Sequence, residues 1–361
     1  MRDAYKAIFE PLQLQSGKHL KNRMVMAPMG HLGSLTGGYI SEEELAYYDK
    51  RVRDVGMVIT SATTIKEGTH YPGLPAVETD EHIPGLRKLS AVLKSHGAAA
   101  VMQLLHEGAN GSGEAPSAVV AENSELPLPR ELSDTEIESI IKKFGDAARR
   151  AIEAGFDGVE IHGANGFLVQ QFTSPHYNRR MDRWGGTSEN RLAFPLAVIN
   201  EVKRVVAESE KPFIIGYRIS PEEAETNGLT MADTIRNVDM LADQGLDYIH
   251  VSLHQFWSKP RRGTNDTRSR MEILKEVVGD RTALIGVGEI KTPEDAAMAL
   301  STGVELLAIA RGLLLDPEWV QKVHEENEDL IKKKLYRGDQ LDLMLPNALW
   351  KMIENFIPFE D

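Results

Sequence analysis

The chain has 361 residues, a hydrophobic fraction of 42%, a charged fraction of 26% and a formal net charge of -13 at pH 7. These values are ordinary for a globular protein, and the acidic balance disfavours nucleic-acid binding, which usually needs a basic surface. The sequence contains no cysteine, so disulfides, catalytic thiols and cysteine-ligated iron–sulfur or zinc sites are excluded, and redox chemistry would require a bound organic cofactor.

Short apolar segments alternate with amphipathic helical segments along almost the whole chain. The short segments are near-continuous apolar runs, which is typical of strands in a parallel sheet with both faces covered. The sequence predicts eight such strands, at residues 23–29, 56–65, 98–106, 155–163, 212–220, 246–254, 282–290 and 305–313.

Several helices between these strands have recognisable ends. Ser41, with Glu44 three residues later, predicts a capping box, and Ser133 predicts the start of a second helix that Gly155 ends. Pro293 occupies the first turn of a later helix. The repeated alternation predicts an α/β fold, a (β/α)8 TIM barrel. An open doubly wound sheet is the alternative, but the early part of the chain lacks a glycine-rich dinucleotide fingerprint.

Three segments lie outside the repeat, and together with the barrel we expect them to form one domain over residues 1–361. Residues 8–22 predict an N-terminal hairpin that closes the bottom of the barrel. Residues 107–132, after strand three, are rich in Gly, Pro and Ser, and a loop of that length suggests a lid over the active site. The amphipathic tail from about residue 328 could pack on the barrel or on a partner subunit, so a homo-oligomer remains open.

We expect a cytoplasmic protein that acts on small molecules and not on a membrane. No apolar run approaches the roughly 18 residues needed to span a bilayer. The N-terminal segment MRDAYKAIFEPLQL also lacks the apolar core of a signal peptide.

Polar residues recur where the predicted strands end, which is the face at which barrel enzymes bind their ligands. These residues are Gln103 and His106 after strand three, His162 and Asn165 after strand four, Arg218 in strand five and Arg311 after strand eight.

Arg218 interrupts the apolar run FIIGYRIS, where an unpaired buried charge would be very costly. Either an internal ion pair or a bound ligand would supply its partner. The segments GVGEIKTPED (286–295) and AIARGLL (308–314) place backbone N–H groups, helix N-termini and Arg311 where barrels commonly hold a phosphate. This pattern fits flavin mononucleotide (FMN), pyridoxal phosphate or a sugar phosphate, although no lysine ends a strand as a Schiff base would require.

A metal site is also conceivable, because His250 and His254 should share one face of strand six, with His162 nearby. No carboxylate accompanies them at a diagnostic spacing, so we predict no metal.

Four segments together resemble the Old Yellow Enzyme family of FMN-dependent oxidoreductases, particularly its bacterial NADH:flavin oxidoreductase branch. They are FEPLQLQSGKHLKNRMVMAPM (9–29), MQLLHEG (102–108), FDGVEIHGANGFLVQQFTSPHYNRRMDRWGGTSENR (156–191) and ARGLLLDPEW (310–319). The resemblance spans nearly the whole chain. It implies a barrel with bound FMN, NADH or NADPH as the reductant, and a small electrophile as the acceptor: an activated alkene, a quinone or a nitro compound.

The resemblance also implies which residues bind the cofactor and the acceptor. His162 and Asn165 would be the catalytic pair that hydrogen-bonds the acceptor's carbonyl oxygen, and His162 would also contact the cofactor. The remaining contacts to FMN would come from Ala27, Pro28, Met29 and Ala62 along the ring, Gln103 and Arg218 at its pyrimidine and N1/O2 edges, and Gly288, Ala310 and Arg311 at the phosphate.

Three positions depart from the family's pattern. Phe167 replaces the tyrosine that usually protonates the acceptor, Gly30 replaces a threonine or cysteine that tunes the flavin, and Ala109 replaces an arginine. Either water or a loop residue such as Tyr177 supplies the proton, or the acceptor is a quinone or nitro compound that needs no positioned acid. The alternatives to an oxidoreductase are a flavin-binding barrel with a non-redox isomerase or sensor role, and a sugar-phosphate lyase.

Overall fold

The computed structural model describes residues 2–66, 72–122, 124–355, 357 and 359–360. Its centre is a ring of eight short parallel strands, numbered here in chain order. Each strand pairs with the next, and the last pairs with the first, which confirms the predicted (β/α)8 barrel. The strands are β1 (Met24–Met26), β2 (Met57–Ile59), β3 (Ala99–Leu105), β4 (Gly158–Gly163), β5 (Ile214–Ile219), β6 (Tyr248–Val251), β7 (Ala283–Val287) and β8 (Leu306–Ile309).

Helices follow the strands and cover the outside of the barrel. Their buried apolar side chains join the outward-facing strand residues in one large core. The helices are Glu42–Asp49, Ile83–Lys94, Asp134–Glu153, Leu168–Thr173, Ser188–Glu208, Met231–Ala242, Arg270–Val278, Pro293–Leu300, Arg311–Leu315 and Trp319–His324.

The inner face of the barrel changes from apolar to polar along the strands. Because side chains alternate between the two faces of a strand, Val101 and Ile214 point into the apolar inner cluster. Two and four residues further along β3 and β5, the same inner face carries Gln103 and Arg218. The sequence therefore builds an apolar floor and a polar mouth, and the mouth is at the carboxyl ends of the strands.

The bottom of the barrel is closed by the predicted hairpin, formed by Leu12–Gln13 and His19–Leu20. Leu14 and Leu20 fill the inner cluster from below. Lys18 Nζ lies 2.7 Å from Asp157 Oδ1 at the start of β4, and this ion pair ties the hairpin to the barrel. The hairpin thus covers the amino ends of the strands, opposite the mouth at their carboxyl ends.

The predicted helix caps are confirmed at Ser133 and in part at Ser41. The Ser133 side chain and Glu136 form a full capping box at the start of the helix Asp134–Glu153. Ser41 Oγ accepts from the Glu44 backbone N–H, as expected. The carboxylate of Glu44 instead accepts from Ser34 Oγ at 2.8 Å and lies 3.0 Å from His31 Nε2, because burial beside these groups offers it two partners.

The long segment after β3 carries a short parallel strand pair, Glu114–Ala115 with Arg130–Glu131. It packs on the chain after β4, where Arg180 Nη1 donates to the carbonyl oxygen of Leu132 at 2.6 Å. Its role as a lid stays a prediction.

The C-terminal tail packs on the barrel of its own chain. Arg51 Nη2 donates to the carbonyl oxygen of Leu343 at 2.8 Å, and Leu349 and Trp350 are buried. Among the residues that the structure describes, no helix has the length and apolarity that a membrane span requires.

Candidate active site

The polar mouth of the barrel brings together the candidate residues of β3 to β6. Gln103, His162 and Arg218 are all buried on neighbouring strands. Arg218 stands in register with His162 on one side and with His250 on the other. The parallel register therefore assembles these groups into one cluster, although they are far apart in sequence.

Glu160 lies at the centre of this cluster and was not predicted from the sequence. Its Oε1 accepts from Gln103 Nε2 at 2.6 Å, and its Oε2 lies 3.0 Å from His250 Nδ1. Burial alone would raise the pKa of Glu160, but His250, Arg218 and Gln103 together outweigh it and hold that pKa below its ordinary value. Burial lowers the pKa of His250. An anionic Glu160 therefore accepts a hydrogen bond from the Nδ1–H of a neutral His250.

This arrangement fixes the orientation of the Gln103 side chain. Its amide nitrogen is committed to Glu160, so its carbonyl oxygen points away from that carboxylate. Glu160 is two residues before His162, on the same face of β4. The period-two pattern of the segment GVEIHG was thus the signal that could have identified it.

Arg218 is the buried cation of the cluster, only 8% exposed. Its Nη2 donates to Ser252 Oγ at 3.1 Å, whereas its Nε has no partner among the described residues. Among the described residues, no carboxylate lies within ion-pair distance of Arg218, so of the two alternatives for its partner the internal ion pair is not found there. Burial lowers the pKa of Arg218. The guanidinium is therefore a buried donor with capacity left for a ligand.

His162 is held neutral and in one tautomer. The backbone N–H of Ala164 donates to His162 Nδ1 at 3.3 Å, so the ring proton is on Nε2. Burial, together with the nearby positive charge of Arg218, lowers the pKa of His162 to about 3. At neutral pH this imidazole can therefore donate a hydrogen bond from Nε2 but does not carry a positive charge.

Asn165 is exposed at the mouth, three residues after His162. Its backbone has a φ of 57°, a left-handed conformation that asparagine tolerates better than most residues. Its Oδ1 accepts from Ser252 Oγ at 2.9 Å, and the same Ser252 Oγ accepts from Arg218. A chain of hydrogen bonds therefore connects the buried guanidinium with the exposed amide.

Phe167 and Tyr177 have different surroundings, and both bear on the source of a proton. The Phe167 ring packs edge-on against His162, with ring centroids 4.9 Å apart. Tyr177 is buried, and its hydroxyl donates to Glu225 Oε1 at 3.0 Å. Burial and the negative charge of Glu225 raise the pKa of Tyr177 well above its ordinary value. Tyr177 is thus a weaker acid than a free tyrosine.

On the opposite side of the mouth, β7 and β8 border a cavity of about 570 Å³. Gly288 has a φ of 131°, and a Cβ there would lie 2.6 Å from the backbone nitrogen of Phe256, so this turn requires glycine. Arg311 is exposed at the start of a short helix beside it. The cavity is lined by Gly288, Ala310, Arg311, His254, Lys291, Lys332 and Lys333, among others.

The predicted pairing of His250 with His254 is wrong. Strand β6 ends at Val251, so the period of two does not extend to His254, which is exposed beside the cavity. Within the described ranges, no cluster of three or more His, Asp or Glu side chains is placed to hold a metal ion.

The remaining ring-lining candidates lie at the carboxyl ends of β1 and β2. Ala27 is buried in the inner cluster, and its N–H donates to the Ile309 carbonyl at 3.0 Å. Pro28, Met29 and Ala62 are half-buried. All the predicted site residues therefore lie near or just after the carboxyl ends of strands, around a single mouth.

Comparison with known proteins gives the same assignment. A sequence model of the NADH:flavin oxidoreductase / NADH oxidase family matches residues 7–329. A probable NADH-dependent flavin oxidoreductase of Bacillus subtilis is 46% identical over 376 residues, which cover 100% of both chains. The NADH:acrylate oxidoreductase of Vibrio harveyi is 37% identical over 97% of this chain but only 36% of its own length, so the chain spans about a third of that protein.

A solved structure of morphinone reductase in complex with tetrahydroNAD superimposes with a TM-score of 0.79, at 26% identity, over 98% of each chain. The cofactor of this protein is FMN, and its reductant is NADH or NADPH. The chain belongs to the NADH:flavin oxidoreductase / NADH oxidase family, and it is an oxidoreductase of the Old Yellow Enzyme type.

Proposed function

We propose that the protein passes hydride from NADH or NADPH, through FMN, to a small electrophile whose carbonyl oxygen is bound by His162 and Asn165. Bound FMN supplies reversible acceptance of a hydride from the nicotinamide. The observation that carries the proposal is the pair itself: a neutral imidazole that bears its proton on Nε2, next to an amide at the same mouth.

The residues around the mouth fit FMN in two respects. Arg218 offers a buried Nε without a protein partner, where a negatively polarised ring edge would be stabilised. Gly288 forms a backbone cradle that a side chain would fill, next to Arg311 and the cavity of about 570 Å³. We therefore propose that Gln103, Arg218, Ala27, Pro28, Met29 and Ala62 hold the ring and that Gly288, Ala310 and Arg311 hold the phosphate.

The pair would act on charge that develops in the acceptor. Addition of hydride to a carbon conjugated with a carbonyl builds negative charge on the carbonyl oxygen, and fixed N–H donors stabilise that charge in a partly dry site. A neutral His162 suits this task because it donates a hydrogen bond from Nε2 without giving up the proton. Its pKa of about 3 keeps it neutral at physiological pH.

The proton balance favours a flat aromatic acceptor over a simple enone. Phe167 packs against His162 and has no proton to give, and the Tyr177 hydroxyl is committed to Glu225. Quinones and nitro compounds need no positioned acid at a carbon atom. The similarity to an NADH:acrylate oxidoreductase supports an activated alkene as well, so both acceptor classes belong in the test.

The experiment is to load the enzyme with FMN and titrate it with 4-hydroxybenzaldehyde, whose phenolate oxygen mimics the developing charge. Wild type should give a long-wavelength charge-transfer band, and His162→Ala and Asn165→Ala should lose it while FMN stays bound. Wild-type affinity in both variants would show that the pair is structural, and the proposal would fail.

A further inference from the structure

We propose that Ser220 and Ser252 are positioning residues, which lock the Asn165 amide with its carbonyl oxygen turned inward and its Nδ2 amino group turned towards the mouth. This inference rests on the proposed function, in which Asn165 must donate a hydrogen bond and not accept one. It assigns to two serines a role that neither their position nor their chemistry indicates in the sequence alone.

The position of the hydrogen on Ser252 follows from its neighbours. Arg218 Nη2 donates to Ser252 Oγ at 3.1 Å, and a guanidinium has no lone pair with which to accept in return. The hydroxyl hydrogen of Ser252 is therefore left for another acceptor. Asn165 Oδ1 lies 2.9 Å away and takes it.

The hydroxyl of Ser220, the residue directly after β5, is constrained in the same way. Its Oγ accepts from the backbone N–H of Asn165 at 2.9 Å, which leaves its own hydrogen free. Asn165 Oδ1, at 3.4 Å, is the acceptor it faces. Two hydroxyl groups, each already accepting from an N–H, thus converge on one oxygen atom.

A rotated amide would be unfavourable for both serines. The Nδ2 group would then face two oxygens that already accept from N–H donors, and both hydroxyl hydrogens would lose this acceptor. The observed orientation gives both serine hydroxyl hydrogens an acceptor. It also leaves the Nδ2 hydrogens of the exposed Asn165 without an acceptor among the described residues, so they are available to a ligand.

The backbone of Asn165 is fixed by the same partner. Its left-handed φ of 57° occurs in the turn after β4, and the bond from its N–H to Ser220 Oγ holds that turn against β5. Ser220 therefore orients both the main chain and the side chain of Asn165.

The two serines differ in one respect that makes the inference testable. Ser252 touches Arg218 as well as Asn165, whereas the hydrogen bonds of the Ser220 side chain to the described residues are with Asn165 alone. Ser252→Ala should thus weaken both FMN retention and phenol binding. Ser220→Ala should weaken phenol binding and leave FMN retention unchanged.

The test measures the dissociation constant of 4-hydroxybenzaldehyde from its charge-transfer band, and that of FMN, in the FMN-loaded enzyme. Each alanine variant should weaken phenol binding about fivefold to tenfold, the effect of one neutral hydrogen bond. Ser252→Thr and Ser220→Thr keep the hydroxyl and should restore affinity to within about threefold.

Asn165→Asp provides a second readout that does not depend on removing a serine. Its carboxylate satisfies both hydroxyls, so FMN should stay bound, but it lacks the N–H donor and should lose the charge-transfer band. In an Asn165→Ala background, Ser220→Ala should have no further effect on phenol affinity, because residues that act through one another are not additive.

If both serine-to-alanine variants bind the phenol with wild-type affinity while Asn165→Ala binds it weakly, the positioning role of the serines is overturned and the proposed function stands. Wild-type affinity in Asn165→Ala itself would overturn both. If the serine variants lose equal phenol affinity in the presence and in the absence of Asn165, the positioning role is also overturned, since the serines would then act on the fold and not on the amide.

Discussion

The two sides of the barrel mouth differ in the burial of their polar groups and in the kind of ligand group that they suit. Between β3 and β6, the donors Gln103, His162 and Arg218 are buried. The Ala164 N–H fixes His162, and Glu160 fixes Gln103. Between β7 and β8, the site consists of a glycine turn, an exposed Arg311 and an open cavity of about 570 Å³. The first side is suited to a reacting group, and the second to holding a charged one.

The difference in burial explains the division. A buried donor in a low-dielectric environment acts strongly on a charge that appears next to it, but only if it is oriented beforehand. An exposed cation is screened by water and salt, so its attraction to a phosphate is weaker and depends less on exact orientation. Variants on the two sides should therefore separate turnover from cofactor retention.

The largest effect is expected on the β4 side. His162→Ala and Asn165→Ala should each lower the rate of acceptor reduction by roughly 10²–10³, the usual effect of removing one donor to a developing oxyanion. The rate at which NADH reduces the enzyme should change much less. Stopped-flow measurement of the two half-reactions checks this, and equal losses in both would contradict the division between the two sides.

The next effect belongs to the β8 side. Arg311→Ala should raise the dissociation constant of FMN by about tenfold to a hundredfold, because a charge-assisted hydrogen bond contributes about 1.5–3 kcal/mol and Arg311 is exposed. Lys332→Ala removes the same charge from the same cavity and is the matched control, with a smaller expected loss. Flavin retention after dialysis measures both, and equal losses would mean that only net charge matters.

The neutral imidazoles near β3 and β4 predict a pH dependence of stability. Burial is the first cause that lowers the pKa of both His106 and His162 from 6.5 to about 3. Between these values the unfolded chain binds more protons than the folded protein. The free energy of unfolding should therefore fall as pH drops from about 6.5 to about 3, by about 1.4 kcal/mol per pH unit for each histidine.

His106→Asn isolates half of that contribution. Its Oδ1 can accept from the Gly108 N–H as His106 Nδ1 does, at 3.2 Å, but it does not titrate. Denaturant unfolding of both proteins at pH 7, 6 and 5 should show a difference that shrinks as pH falls. A difference that is constant with pH would show that His106 is not the titrating group.

The scaffold was predictable from the sequence because it depends on local patterns. All eight strands, and the capping box at Ser133, follow from apolar runs and end signals that a few neighbouring residues determine. Ser41 shows the limit of this reasoning. The Ser41 side chain caps the helix as predicted, but the Glu44 carboxylate contacts His31 and Ser34 and does not complete the box. The partners of a buried carboxylate depend on the tertiary structure, which the local sequence does not specify.

The support of the site was not predictable for the same reason. Glu160 and Ser252 act through residues on other strands, and the contacts depend on strand register: Glu160 reaches Gln103 and His250, and Ser252 reaches Arg218 and Asn165. Motif resemblance predicted His162 and Asn165 as site residues, whereas the contacts of Glu160 and Ser252 became visible only in three dimensions.

The smallest expected effect is a gain of activity at Phe167. Reduction of an enone needs a proton at the carbon next to the carbonyl. His162 is neutral, with a pKa of about 3. Burial and the hydrogen bond to Glu225 hold the pKa of the Tyr177 hydroxyl well above its ordinary value. No placed acid is therefore evident on the β4 side, and we expect wild type to reduce a quinone much faster than cyclohexenone.

Phe167→Tyr adds one hydroxyl to a ring that already packs edge-on against His162, 4.9 Å between centroids. A well-placed general acid raises the reaction rate by roughly 10²–10⁴, and a newly introduced one that is not well placed should raise it only about tenfold. The enone rate should rise by that amount, while the quinone rate stays level and Phe167→Leu, which adds no acid, gives no gain. Fast enone reduction by wild type, unchanged by the tyrosine, would mean that water or another residue already delivers the proton, and that the β4 side needs no acid at residue 167.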